Sequence, residues 1–282
     1  MELNLKETLK SLARNAVRME IGPGDGAAIG RFGGAPDVPE GFSWPWFTTG
    51  TYADDEVKPR PLSFLAQFDG AALAPLDRDG LLPHEGVLSF FYELGSQRWG
   101  FDPKDAGCAR VYWFPDKTIL APMDIPEDLD EEFRLPTFPI RGRAETTYPD
   151  YDDAAVSLGR AEGGLNLGAF DQAYSALAGE KPWPSHKLLG WPDIVQSNLT
   201  VECELVSRGW NLGGSQKIPE ADIQEAERTS LDGWRLLLQL DSFQIGDFDL
   251  MFGDSGSIYF YIRKEDLTAR RFDRVWLVLQ CF

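Results

Sequence analysis

Three short apolar segments occur twice in this chain, in the same order and at nearly constant separation. Leu65-Ala66-Gln67-Phe68-Asp69 reads like Leu237-Leu238-Gln239-Leu240-Asp241, and Gly86-Val87-Leu88-Ser89-Phe90-Phe91-Tyr92 like Gly256-Ser257-Ile258-Tyr259-Phe260-Tyr261-Ile262. Arg110-Val111-Tyr112-Trp113-Phe114 reads like Arg274-Val275-Trp276-Leu277-Val278. The offsets are 172, 170 and 164 residues. A weaker fourth match, Ala35-Pro36-Asp37-Val38 with Trp191-Pro192-Asp193-Ile194, lies 156 apart. Repeat arrays have units of roughly 20–50 residues, so this spacing points to an internal duplication of a half-domain.

The repeated pieces have the alternation of strands. Phe64, Ala66 and Phe68 share one face, as do Leu88, Phe90 and Tyr92 and their counterparts Ile258, Phe260 and Ile262. The final run from Val275 to Phe282 is apolar on both faces, which predicts a covered strand inside a sheet, not at its edge. Leu5, Leu9, Leu12, Ala16 and Met19 recur at helical spacing and predict an amphipathic N-terminal helix over 3–19, stopped at Gly22-Pro23-Gly24. Phe170, Ala173, Tyr174 and Leu177 predict a second short helix, and short strands are expected near Phe138 to Arg141. No low-complexity linker separates the copies. The expectation is one α+β domain over 1–282, with half-motifs roughly 20–145 and 180–282, a mostly antiparallel sheet, pseudo-twofold halves and the C-terminal strand in the core. Strands 62–68, 86–92 and 110–114 are expected to superpose on 234–240, 256–262 and 274–280.

Charge narrows the function. The formal net charge is −18, from 45 acidic and 27 basic residues. Such a surface repels phosphate backbones and anionic lipid, so nucleic acid and membrane are poor partners and a basic protein a good one. The acid gathers in Asp54-Asp55-Glu56, Glu127 to Glu132, Asp150 to Asp153 and Glu220 to Glu227, each of which reads as a solvated loop or helix face. Cys108, Cys203 and Cys281 stand far apart, with neither disulfide nor zinc spacing. No signal peptide and no stretch of the ~20 apolar residues that spans a bilayer is legible, so a reducing cytoplasm is expected.

No motif carries a reaction. Gly253-Asp254-Ser255-Gly256 matches the nucleophile setting of trypsin-like proteases, but only His84 and His186 exist and neither has the required context. By the repeat it aligns with Pro83-His84-Glu85-Gly86, a turn. Gly22-Pro23-Gly24-Asp25-Gly26 follows the expected helix and lacks the Gly-Lys-Ser/Thr of a phosphate loop. Asp247, Asp249 and Asp254 are weak candidates for a calcium or magnesium site, although they alternate with Phe248 and Leu250 as in a solvent-edged turn. Gln67 and Asp69, echoed by Gln239 and Asp241, are candidate ligand-binding pairs if the halves bring them to one cleft. The structural alternative, that each Gln satisfies backbone groups and each Asp caps a strand exit, is the favoured reading. Trp44, Trp183 and Trp191, each before a proline, are candidates for a binding surface, Trp44 and Trp191 foremost.

Phe32 to Pro39, Pro61 to Gln67, Gly86 to Phe91, Leu189 to Gln196 and Met251 to Phe260 together resemble the YwqG-like family of bacterial proteins, a domain of unknown function. Phe252 and Ser255 stand where Trp and Ala are expected in many members. The resemblance implies an α+β body of two tandem α/β motifs, with room for an exchange of C-terminal strands, and no established reaction, catalytic residue or cofactor. Some relatives look like members of toxin–immunity neighbourhoods. The leading functional expectation is therefore a non-catalytic cytoplasmic protein-binding module, of immunity or antitoxin type, for a basic partner. The alternative is a small-ligand or carbohydrate-binding protein, or an undetected enzyme, using the cleft between halves.

Overall fold

The computed structural model describes residues 4–158, 165–179 and 182–282. Ten strands form its main sheet: β1 (Arg14–Ile21), β2 (Ala27–Phe32), β3 (Ser63–Asp69), β4 (Val87–Tyr92), β5 (Ala109–Phe114), β6 (Phe138–Thr147), β7 (Lys187–Leu189), β8 (Trp234–Asp241), β9 (Ser257–Arg263) and β10 (Trp276–Gln280). The helices are α1 (Leu5–Ser11), α2 (Gly70–Leu73), α3 (Tyr151–Ser157), α4 (Leu167–Ala178), α5 (Leu199–Ser207), α6 (Glu220–Gly233) and α7 (Lys264–Thr268). Three small hairpins or strand pairs lie outside the sheet. The class is α+β, and every ladder of the main sheet is antiparallel.

The sheet order is β10-β9-β8-β7-β1-β6-β2-β3-β4-β5. Counted outward from the central β1–β6 pair, each strand on one side is matched on the other by the strand five places along the chain. The irregularities match too. The β3–β4 ladder slips between Phe64 and Ala66, and the β8–β9 ladder between Leu236 and Leu238. Each first strand is paired outside its own run: β1 lies beside β7, and β6 beside β2. The terminal strands β5 and β10 stay with their own neighbours β4 and β9, so no exchange of C-terminal strands occurs.

The sheet curls until it is nearly closed. Phe90 on β4 and Phe260 on β9 meet edge to face at 5.2 Å inside the main core, a favoured aromatic geometry. The outer faces of the two ends are covered separately. Trp44, Leu62, Phe64 and Phe91 cluster on one, and Leu199, Cys203, Trp234, Tyr259, Tyr261 and Val278 on the other, where α5 packs. The repeated strands are thus buried on both faces, which is why their sequences are nearly continuous apolar runs.

The N-terminal helix expected over 3–19 is corrected. α1 ends at Ser11, and residues 14–21 form a strand at the centre of the sheet. Asn4 caps α1 through Glu7 N–H, but the helical spacing of Ala16 and Met19 beyond it is coincidental. Residues 15–19 are all buried, so no two-residue alternation marks the strand. The loop 22–26 consequently follows a strand and leads into another strand, with no helix to receive a phosphate. α4 forms where the second helix was expected, and it packs with α1 and α3 around Leu9, Ala154 and Phe170.

The terminal strand is buried as expected but ends the sheet order instead of lying within it. Its free edge is covered by the segment joining β4 to β5. Leu279 N–H donates to Trp99 O at 3.0 Å and Trp276 Nε1 to Gly100 O at 3.0 Å. Covering an edge in this way removes a template for aggregation. Leu279 and Gln280 are fully buried, whereas Phe282 is 75% exposed, against the expectation that it closes the core. Deleting Phe282 alone is therefore expected to move the melting temperature by no more than a few degrees. Deleting 279–282 removes Leu279, worth about 1.5–3 kcal/mol of burial, together with the hydrogen bonds of Gln280, from a total stability of typically ~5–15 kcal/mol. Thermal melts of the two truncations are expected to differ by far more than their length; equal melts would show that β10 is dispensable.

Candidate functional site

The repeated Pro-Asp loops and the repeated glutamines build two polar clusters, one on each side of the central β1–β6 pair. After β2 the chain turns through Gly33 and Gly34, at φ 62° and 74°; after β7 it turns through Leu189 and Gly190, at 60° and 75°. Leu189 pays the steric cost of the left-handed region that glycine avoids. Each turn delivers an aspartate to the neighbouring glutamine. Asp37 N–H donates to Gln67 Oε1 at 3.0 Å, and Asp193 N–H to Gln239 Oε1 at 2.9 Å. A cation one strand away binds each carboxylate: Arg31 Nη1 lies 2.6 Å from Asp37 Oδ2, and Lys187 Nζ 2.5 Å from Asp193 Oδ2. The same cations donate to the carbonyls of Ala35 and Trp191. Sequence reading missed Arg31 and Lys187, although both stand six residues before the matched aspartates.

The second cluster is the larger. Gln239 Nε2 donates to Asp241 Oδ1 at 3.0 Å and Asp193 Oδ2 at 3.2 Å, and Ser257 Oγ to Asp241 Oδ1 at 2.7 Å. Asp241 N–H donates to His186 Nδ1 at 3.1 Å, which fixes that ring nitrogen as an acceptor. Burial lowers the His186 pKa to about 4, against the pull of Asp241, so the imidazole is neutral at pH 7. Arg18 clamps Glu145 through Nε at 3.0 Å and donates to Ser185 Oγ. Below Asp193, Gln280 accepts from the N–H groups of Val195 and Gln196 and donates to Ser197 O and Glu202 Oε2.

These contacts place the sequence candidates. Gln67, Gln239 and Asp241 are buried and engaged with their own half's backbone and side chains. Asp69 caps α2 through Ala71 N–H and pairs with Lys117. The two pairs share no partner, and none of the four residues lines any of the four cavities described below. Trp44 lines none of these cavities, whereas Trp191 reaches the wall of one of about 370 Å³. Both are buried, with Nε1 donating to Leu62 O and to Leu12 O. Trp183 is half exposed, edge-on to Phe282. Among the described residues no group of three or more His, Cys, Asp or Glu side chains is placed to hold a metal ion, so Asp247, Asp249 and Asp254 do not converge. Ser255 is exposed in a turn, His84 faces Asp77, and His186 is occupied. A Cβ on Gly256 would meet Gln280 O at 2.1 Å, and one on Gly86 would meet Phe114 O at 2.0 Å. Both turns need glycine for the same close approach.

The open surface lies elsewhere. A groove of about 840 Å³ brings Asp54 together with Glu127, Asp128, Asp130 and Glu132, beside Tyr52, Pro59 and Phe133. Over the ridge of Thr51, Tyr52 and Gln97 it adjoins a second cavity of about 700 Å³, which carries Arg98, Trp99, Phe101 and Asn211. Tyr52 is 77% exposed and Val57 69%. Hydrogen bonds from Lys58 and Arg60 hold the Asp54 carboxyl well below the usual carboxylate range. The carboxylates across the groove are different. Among the described residues none of Glu127, Asp128, Asp130 and Glu132 has a basic nitrogen within 4.0 Å. The nearby Arg134 donates instead to the backbone carbonyls of Leu129, Pro126 and Glu127, and so shapes the loop without neutralising it. Two smaller cavities, of about 370 and 250 Å³, both reach Arg14.

The chain belongs to the family Domain of unknown function (DUF1963), whose family model matches residues 30–281. A search of curated proteins finds no match.

Burial raises the Glu202 pKa to about 7, opposed by hydrogen bonds from Ser197 and Gln280. Between its ordinary value near 4.5 and about 7 the folded state holds a proton that the unfolded state has lost. Stability from this group is therefore present at low pH and falls as pH rises through 7. Glu202→Gln is expected to flatten the dependence of melting temperature on pH between 5 and 8. The variant should be the more stable protein at pH 8, by on the order of 2–3 kcal/mol. His186 acts with opposite sign, losing stability as pH falls from 6.5 towards 4. Parallel melting curves for Glu202→Gln and wild type would remove Glu202 as a source of the slope.

Proposed function

We propose that this protein is a non-catalytic binding module that captures an extended basic segment of a protein partner in the acidic groove. The carrying observation is that Asp54 and the Glu127 to Glu132 segment, some 70 residues apart in sequence, line one groove. Lys58 and Arg60 on the same wall are engaged with Asp54. Among the described residues the four carboxylates across from them have no basic partner, and Tyr52 is exposed at the edge. Complementary charge of this kind raises association rates and weakens with salt, while an exposed aromatic supplies an anchor. A cytoplasmic immunity or antitoxin role fits such a module and the YwqG-like resemblance. Among the described residues no helix is long and apolar enough to cross a membrane.

The ordering of strands, the matched ladder slips and the two glutamine–aspartate clusters support descent from a duplicated half-domain whose copies begin at β1 and β6. A second reading, binding of a small polar ligand, is favoured by the 700 Å³ cavity. Its wall joins Trp99 and Phe101 to Asn211, residues from the two half-motifs.

An oligo-lysine or oligo-arginine peptide distinguishes the readings. Saturable binding is expected at low ionic strength, weakening steeply towards 0.5 M salt. A variant carrying Asp128→Lys and Asp130→Lys is expected to lose about tenfold or more in affinity, and Tyr52→Ala a smaller factor. Equal affinity of wild type and the double variant would overturn the groove as the binding surface.

A further inference from the structure

β7 is only three residues long. Its ladders reach Ala16 to Arg18 on one side and Leu238 and Gln239 on the other. Beyond Leu189 the chain turns away, and the starts of β1 and β8 flank a notch in the sheet. The cavity of about 250 Å³ lies there, with Arg14 from β1, Arg235 from β8 and Lys264 from α7 on its wall, and Leu236 and Leu267 as apolar lining.

Arg18 and Arg263, half-buried or deeper, are paired with Glu145 and Glu204, while Arg141 and Arg270 donate to backbone carbonyls instead. At the notch, among the described residues, none of Arg14, Arg235 and Lys264 has a carboxylate oxygen within 4.0 Å. Arg14 stacks on the Trp191 ring at 3.4 Å, and Arg235 Nη1 donates to the carbonyls of Leu231 and Trp234. Burial, and then the charge of Arg235, lower the Arg14 pKa to about 10; Asp153 and Asp232 pull the other way. Asp79 also reaches the wall, accepting from Asn15 N–H at 3.2 Å. Three cations, half-buried Arg14 and Arg235 and exposed Lys264, thus face one carboxylate, and partly desolvating a guanidinium without a carboxylate partner is costly. Guanidinium forks match a planar carboxylate. The leucine wall suits an apolar body, and the volume, below the ~300–1,000 Å³ of drug-sized sites, sets a small one.

We propose that this notch binds a small organic carboxylate, its charged end held by Arg14 and Arg235 with Lys264 alongside, and its apolar body against Leu236 and Leu267. The site is separate from the acidic groove and stands or falls independently of it.

Calorimetric titration of the full chain with benzoate, hexanoate and inorganic phosphate tests the assignment. Saturable binding of a carboxylate is expected, with phosphate much weaker. Arg14→Gln and Thr268→Glu, the latter placing a negative charge on the cavity wall, are each expected to weaken it about tenfold or more. Thr268 is exposed, and its variant is expected to melt within a few degrees of wild type, so it decides the matter if Arg14→Gln does not fold. Failure of both carboxylates to bind, binding of phosphate alone, or unchanged carboxylate affinity in Thr268→Glu would overturn the proposal.

Discussion

The β1–β6 ladder is the constraint on which the rest of this structure depends. Eight residue pairs, from Arg14 opposite Thr147 to Ile21 opposite Ile140, join the two five-strand runs into one sheet. Because each of these strands also takes its outer neighbour from the other run, neither run completes its own inner edge. A one-residue slip would turn Val17 and Met19 from the core and put Arg18, now clamped on Glu145, in their place. That interdependence makes the two ends of the sheet one cooperative body and brings Phe90 and Phe260 together.

Polar groups are buried on the same principle of mutual completion. A buried amide or ion without partners costs several times what its hydrogen bonds return. The Gln67 and Gln239 amides are therefore valuable less as binding groups than as fixed points for the loops after β2 and β7. With both amides and the Asp241 carboxylate satisfied internally, they have little capacity left for a ligand. Accessible charge without an opposite partner is found where a strand stops early, at the notch, and where a loop stands clear of the sheet, at the groove.

How legible this was depended on how many neighbours each residue needed. β3, β4, β8, β9 and β10 could be read because burial on both faces leaves a dense apolar run, and the repeat supplied a second copy of each. β1 could not, since Leu12, Ala16 and Met19 fall by chance at helical spacing and strand alternation is erased when both faces are covered. β6, at ten residues, was visible only as short fragments because Arg141, Gly142, Arg143 and Glu145 interrupt its apolar pattern. The structural reading of Gln67 and Gln239 was available from general hydrogen-bond demand, but the partners Arg31 and Lys187 were not. The groove was invisible, because nothing local tells Asp54 that it will sit across from Glu127 to Glu132.

The exchange of first strands also sets a schedule for biosynthesis. β1 emerges from the ribosome early, but its partners β6 and β7 are made only when residues 138–147 and 187–189 have been added. At roughly 5–20 residues per second, β1 waits on the order of 10–30 s for its second neighbour. For most of that interval, until β6 is complete, a strand destined to be paired on both edges has neither partner. The nascent chain therefore relies on its own abundant negative charge, or on a chaperone, to keep that strand from finding the wrong companion.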